Sequence, residues 1–95
     1  MKVIGKDIAE VFARKHPHSR GPLTNWHNTT KLAQWKSSAD VKYSFRSANY
    51  VQSKKCWVFD ISSNRLIAKI DFAVKLVKVI HVFTHSQYDI WCQKE

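Results

Sequence analysis

The chain has 95 residues, of which 44% are hydrophobic and 13% aromatic, so it is long enough to bury one core and too apolar to be intrinsically disordered. Sixteen lysines and arginines against 7 aspartates and glutamates give a formal net charge of +9 at pH 7. This charge argues against a basic or cationic partner. It favours a polyanionic partner, RNA or DNA above all, with an acidic protein as the alternative.

Cysteine and histidine usage predicts neither a disulfide scaffold nor a metal or other cofactor. Cys56 and Cys92 show no CxxC or Cys/His ligand spacing, and their number fits a reducing cytoplasm. His16 and His18 flank a proline without an evident third ligand. The start MKVIGKDIAE is charged where a signal peptide is apolar, and no run approaches the ~18 apolar residues of a membrane span. We therefore expect one soluble, cytoplasmic domain over residues 1–95, without a membrane partner.

The N-terminal half is predicted to contain one short strand and two helices. The residues MKVI have the character of an edge strand, and GKDIAEVFARKH has apolar residues at helical spacing, with acidic and basic ends that suit the helix dipole. The segment HPHSRGP interrupts this pattern. From about Leu23 to Trp35 the apolar residues fit a helical face loosely, which predicts a second helix that could pair antiparallel with the first.

The C-terminal half is predicted to be mostly β-structure. Residues 37–55 are polar and serine-rich with several aromatics, which indicates an ordered loop or a short helical turn. Three β-rich runs follow, CWVFDI (56–61), RLIAKIDF (65–72) and KLVKVIHVFT (75–84), and their short connections predict an antiparallel meander. HSQYDIWCQKE is expected to be a short helix or a tail that packs on the body. The predicted fold is α+β, in the order β-α-α-β-β-β, with the helices on one face of the sheet.

Strand alternation predicts a basic surface on the other sheet face. Along RLIAKIDF, Arg65 and Lys69 point away from the apolar set that belongs under the helices. Such a surface could hold a phosphate backbone, although exposed basic residues more often serve solubility or protect a sheet edge. Both sides of the last strand are largely apolar, so its polar histidine cannot be assigned to a face. Alternation there groups the following residues on one side: Val77, Val79, His81, Phe83 and His85.

Four of these side chains could together cleave RNA without a metal. The reaction needs a base for the 2′-hydroxyl proton, an acid for the leaving oxygen and cations that stabilise the phosphorane-like transition state. His85 and Tyr88 can exchange protons, while Arg65 and Lys69 can supply positive charge. Taken singly, a histidine at a strand end or a tyrosine is more often structural.

Several segments in the same order resemble the HigB family of bacterial toxins, relatives of RelE. They are VFDISSNRLIAKIDF, VIHVFTHSQYDIW, WKSSADVKYSFRSA and the start MKVIGKDIAEVFARKHP. Family members end in a strand that runs into THxEYD after an earlier N-x-YRL element. The resemblance implies a RelE-like fold and cleavage of mRNA on the translating ribosome. It also implies neutralisation by a HigA-type antitoxin with a helix-turn-helix domain, and contact with operator DNA only through that complex.

The resemblance assigns roles by position in the two family motifs. Arg65 matches the arginine of the YRL element and would bind the scissile phosphate. His85 and Tyr88 match the histidine and tyrosine of THxEYD and would transfer protons or position the substrate, with acid and base unassigned. Asp89 matches its aspartate and is expected to orient a neighbour or cap the tail.

Three basic residues, Lys69 again and also Lys42 and Arg46, are predicted to contact RNA from the charge pattern alone. The chain departs from the family pattern in two places. Gln87 replaces the glutamate of THxEYD, and SSNRLI lacks the tyrosine and one further residue before Arg65, which shortens the hairpin. If the shorter turn tilts that arginine out of the site, the protein would bind RNA or an antitoxin without cleaving. A non-catalytic basic RNA- or protein-binding module is therefore the alternative function.

Overall fold

The computed structural model describes residues 1–93, which form a five-stranded mixed sheet and four α-helices. In chain order the elements are β1 (Lys2–Ile4), α1 (Lys6–Lys15), a 3-10 turn (Pro17–Ser19), α2 (Arg20–Leu32), α3 (Ser38–Ser44), β2 (Asn49–Val51), β3 (Cys56–Ile61), β4 (Asn64–Asp71), β5 (Leu76–Phe83) and α4 (His85–Gln93). The strand order is β1-β5-β4-β3-β2, with β1 parallel to β5 and the other neighbours antiparallel. The α+β class, the edge strand at the N-terminus and the three-stranded meander are thereby confirmed.

Two regions differ from the prediction. Helix α2 begins at Arg20 and ends at Leu32, so its first turn contains Pro22 and it ends before Trp35. A proline is tolerated there because the first-turn N–H groups have no helical acceptor. Residues 37–55 contain a full helix, α3, and an additional edge strand, β2, where a loop or a helical turn was expected.

The main core lies between the sheet and helices α1 to α3. At its centre Phe59 is 1% exposed and lies within 6.5 Å, between ring centroids, of four other aromatic rings. These rings belong to Trp26, Trp35, Phe45 and Trp57. Aromatic side chains supply much of the buried apolar area in so short a chain, which fixes the sheet under the helical layer.

The other sheet face is covered over its middle by α4. Tyr88 and Trp91 of this helix pack on a second apolar cluster whose centre is Ile67, which is fully buried. Arg65 and Lys69 lie two residues to either side of Ile67 on the same face of β4. Helix α4 therefore divides the expected basic surface into two separate parts, one at Arg65 and one at Lys69. No helix within residues 1–93 is long and apolar enough to span a membrane.

A β-bulge in β5 reverses the predicted alternation of that strand. Ile67 pairs with His81, but Ala68 pairs with Val79, so Ile80 is an extra residue without a partner across the ladder. Beyond the bulge His81 faces the α4 side, because it lies directly opposite Ile67. The grouping of Val77 and Val79 with His81 and Phe83 on one side is therefore wrong: the two valines belong to the main core, and Phe83 packs with the α4 cluster.

Gly5 joins β1 to α1 in a conformation that requires glycine. Its φ is +87°, and a Cβ atom there would lie 2.6 Å from the Val79 carbonyl oxygen. We expect Gly5→Ala to lower the free energy of unfolding by about 2 to 4 kcal/mol, from backbone strain and the clash together. Gly21→Ala is the matched control, since a Cβ there meets nothing within 4 Å and the residue lies in α2. Urea denaturation checks both, and equal midpoints for Gly5→Ala and wild type would contradict the account.

Candidate active site

The β3–β4 hairpin places Arg65 at the edge of the sheet surface that helix α4 covers. Asp60 and Arg65 lie directly opposite each other across the ladder, and Arg65 Nε lies 3.1 Å from Asp60 Oδ1. Arg65 Nη1 also donates a hydrogen bond to the carbonyl oxygen of Asn64 at 3.0 Å. The arginine side chain is 22% exposed. Two anchors thus fix the guanidinium while part of it stays open to solvent.

The shortened turn does not remove Arg65 from this surface. Ser62 adopts a φ of +59° in the two-residue turn, and Ile61 pairs with Asn64. The register keeps the arginine on the α4 side, with its guanidinium carbon 5.7 Å from the centroid of the Tyr88 ring. This is the range of a cation–π contact, so the structure brings Arg65 and Tyr88 together.

Tyr88 has a strongly perturbed phenol. Burial raises the pKa of Tyr88 to about 12, with further increases from a hydrogen bond with the Cys92 thiol and from Asp60, and a decrease from Arg65. A phenol with this pKa stays protonated near pH 7. It can donate a hydrogen bond to a phosphate oxygen, but it is a poor general base there because almost none of it is ionised.

The start of α4 is held by a reciprocal pair of hydrogen bonds. The Thr84 backbone N–H donates to Gln87 Oε1 at 2.9 Å, and the Gln87 backbone N–H donates to Thr84 Oγ1 at 3.3 Å. This is a capping box, which accepts glutamine or glutamate at the third position. The replacement of the family glutamate by Gln87 therefore preserves the helix start, and this helix start presents His85.

His85 is the first residue of α4 and its side chain is 66% exposed. Its Nε2 atom lies 3.6 Å from Asp89 Oδ2 one turn later, an arrangement that becomes an ion pair when the imidazole is protonated. Tyr88 is three residues after His85, so the two occupy neighbouring positions on the helix surface. Within residues 1–93 no hydrogen bond, ion pair or ring contact joins His85 directly to Arg65.

The three predicted RNA-contacting residues are divided between the two sides of the sheet. Lys69 is exposed on the α4 side of β4, the same side as Arg65. Lys42 is exposed on α3, which anchors Val41 in the main core, and Arg46 is exposed just after that helix. These last two therefore belong to the layer on the opposite face.

Sequence reasoning missed two residues beside the predicted ones. Asp60 is the ion-pair partner of Arg65, and Lys78 lies directly across the ladder from Lys69. The first could have been found from the two-residue turn, since a turn at residues 62 and 63 places residue 60 opposite residue 65. The second depends on the β4–β5 register. Among residues 1–93 no group of three or more histidine, cysteine, aspartate or glutamate side chains could hold a metal ion.

Comparison with known proteins decides the family. Residues 19–91 match the model of the HigB toxin family, described as the RelE-like toxic component of a toxin-antitoxin system. The chain belongs to the HigB toxin family. A curated relative from Escherichia coli O6:H1 strain CFT073, named mRNA interferase HigB, is 29% identical over 92 residues, which cover 94% of this chain and 89% of the relative.

Membership in the HigB family confirms the resemblance seen in the motifs. The matched span contains every predicted site residue from Lys42 to Asp89. It also implies an antitoxin partner, because HigB proteins are the toxic component of a toxin-antitoxin system. A basic toxin with a net charge of +9 suits an inhibitor of opposite charge.

The alkaline pH dependence of stability tests the environment of Tyr88 in this HigB chain. Its pKa is raised to about 12 from the usual value of 10.0, so the folded state holds the phenol proton over a range where the unfolded state has released it. This contribution to stability is complete below pH 10 and disappears as pH rises to 12. We expect the free energy of unfolding to fall less over this window in Tyr88→Phe than in wild type. Urea titrations at several pH values check this, and parallel curves would contradict it.

Proposed function

We propose that this HigB-family chain is a metal-independent endoribonuclease that cleaves mRNA on the translating ribosome and thereby inhibits translation and growth. The observation that carries the proposal is the guanidinium of Arg65 at 5.7 Å from the Tyr88 ring, beside the helix that begins with His85. A cation, a phenol and an imidazole thus occupy one side of the sheet in a strongly basic protein. The name of the Escherichia coli relative, mRNA interferase, supports the same reaction class.

The three side chains have different roles in the proposed reaction. His85 accepts the proton of a ribose 2′-hydroxyl, since histidine is the side chain whose usual titration range spans neutral pH. The 2′-oxygen attacks the adjacent phosphorus, the bond from phosphorus to the 5′-oxygen breaks, and that oxygen takes up a proton from water. The resulting hydroxide takes the proton that His85 holds, which restores the imidazole. The products are a 2′,3′-cyclic phosphate and a 5′-hydroxyl end. Arg65 stabilises the negative charge that develops on the phosphoryl oxygens, and the neutral Tyr88 donates a hydrogen bond to one of these oxygens.

A non-catalytic basic module is the second candidate, and one contact favours it. Asp60 already occupies Arg65 Nε at 3.1 Å, so a substrate phosphate must share the guanidinium with a carboxylate or displace it. If the carboxylate prevails, RNA binds weakly at Arg65 and the message stays intact. In that case the chain retains the fold and the partner surface without the reaction.

The proposed setting follows from family and charge. The partner is a HigA-type antitoxin with a helix-turn-helix domain, and the chain contacts operator DNA only through the complex with that antitoxin. The site of action is the cytoplasm, where translating ribosomes are found. Residues 1–95 act as one toxin domain, and Asp89 orients His85 through the 3.6 Å contact.

A cell-free translation reaction tests the proposal. Adding the purified chain is expected to stop protein synthesis and to shorten the reporter message, and adding its cognate antitoxin beforehand is expected to prevent both. Loss of synthesis with a full-length message would favour the binding module instead. Unchanged synthesis with a folded protein would reject both forms of translation inhibition.

A further inference from the structure

Two lysines lie opposite each other on adjacent strands of the sheet, away from Arg65. Lys69 of β4 and Lys78 of β5 are paired in register, and both are exposed. Directly opposite residues on a sheet have Cβ atoms about 4.5 to 5.5 Å apart, and like charges at that distance oppose folding. The fold therefore brings together two positive charges where stability alone favours a neutral or opposite pair.

Ordinary structural roles do not account for this pair. Lysines commonly protect a sheet edge, but β4 and β5 are interior strands in the order β1-β5-β4-β3-β2. Neither lysine makes an ion pair within residues 1–93. The neighbouring carboxylate of Asp71 instead accepts hydrogen bonds from the backbone N–H groups of Ala73 and Val74, at 3.0 and 3.3 Å.

The pair lies in a depression that is large enough for a phosphate group. Lys55, Lys69 and Lys78 all line this open hollow of about 350 Å³, together with Asp71. Three ammonium groups against one carboxylate leave a local formal charge of +2. The depression thus has the net positive charge that an anion requires, and its Lys69 and Lys78 lie on the same sheet face as Arg65.

We propose that Lys69 and Lys78, with Lys55 at the rim, bind a backbone phosphate of the message away from the cleaved bond. This rests on the proposed function for the identity of the RNA, though the phosphate site stands on the lysine geometry alone. Lys69 follows Arg65 by four positions along β4, a span of about 13 Å at the usual rise per residue. Helix α4 covers Ile67 between Arg65 and Lys69, so the two sites would hold phosphates of different nucleotides of one RNA chain.

Binding of a 2′-O-methylated single-stranded RNA oligonucleotide tests the site without any dependence on cleavage. In the double variant Lys69→Gln/Lys78→Gln, we expect the dissociation constant to rise about tenfold, and the slope of log affinity against log salt to fall by about 0.7 for each phosphate that the variant no longer binds. Its melting temperature should equal or exceed that of wild type, because a like-charge pair has been removed. The double variant Lys6→Gln/Lys31→Gln is the matched control, since it removes two exposed lysines that lie beside His27 in the helical layer.

Each outcome bears on one claim. Equal reductions of affinity in the two double variants would show that only net charge matters, and would overturn the site. Unchanged oligonucleotide binding with weaker cosedimentation with ribosomes would also overturn it, because the lysines would then bind ribosomal RNA. Weaker oligonucleotide binding in a protein that never cuts messages would support the site and reject the nuclease. If the nuclease is active, Lys69→Gln/Lys78→Gln should slow cleavage at low message concentration and leave the maximal rate unchanged.

Discussion

Arg65→Ala is expected to lower the rate of mRNA cleavage by about 100- to 1,000-fold, the usual effect of removing one group that stabilises transition-state charge. The guanidinium carbon of Arg65 lies 5.7 Å from the centroid of the Tyr88 ring, and in the proposed reaction this charge stabilises the phosphorane. Arg65→Lys should recover only part of the rate. An ammonium group lacks the planar set of N–H donors with which a guanidinium can bind Asp60 and a phosphate at the same time. Quantifying intact message over time in a translating extract measures both variants.

Arg20→Ala provides the matched control for Arg65→Ala. It also removes an arginine and an ion pair, with Glu10 at 3.1 Å, but it lies at the start of α2 in the helical layer. Thermal unfolding should show similar small decreases of stability in the two variants, whereas only Arg65→Ala should lower the cleavage rate by this factor. Full cleavage by Arg65→Ala would remove this residue from the site and with it the phosphate-binding role of the hairpin.

His85→Ala is expected to reduce cleavage by about 100- to 10,000-fold, the range for loss of a general base or acid. The side chain is 66% exposed and its ion-pair partner within residues 1–93 is the neighbouring carboxylate of Asp89, so the fold should hardly respond. Expression of the variant should therefore relieve growth arrest while the protein still binds its antitoxin. Growth curves and antitoxin pull-down measure the two effects separately.

His18→Ala is the control for His85→Ala, because it removes another exposed histidine from a short helical turn. Asp89→Asn should have a smaller effect than His85→Ala, since it alters only the charge beside the imidazole. Toxicity equal to wild type in His85→Ala would assign proton transfer elsewhere. A ribosomal group would then be the first alternative, because Tyr88 with a pKa of about 12 is a poor base near neutral pH.

Local patterns predicted most of the fold, and failures arose where long-range packing decides. The meander followed from alternation and short connections, since both depend on neighbouring residues. The bulge at Ile80 could not be predicted, because it satisfies packing on both faces of β5 at once. Strand β2 is only three residues long and pairs through Tyr50 against Trp57, an interaction that the sequence does not signal.

The candidate site was predictable in its residues and less so in its arrangement. Family motifs pointed to Arg65, His85 and Tyr88, and the structure brings the first and third into contact. The position of α4 over Ile67 depends on tertiary packing, and it changes a continuous basic surface into two separate parts. The raised pKa of Tyr88 likewise follows from the burial of its side chain between α4 and the sheet, which no local pattern reveals.

The most direct test of the account is mapping of message 5′ ends after the purified chain is added to a reporter mRNA with and without translating ribosomes. We predict new 5′ ends only when ribosomes translate, ends that carry a hydroxyl and ligate to an adapter only after treatment with a polynucleotide kinase. The same ends should be absent with His85→Ala. An intact message in both conditions, from a folded protein that binds its antitoxin, would contradict the nuclease and leave the binding module.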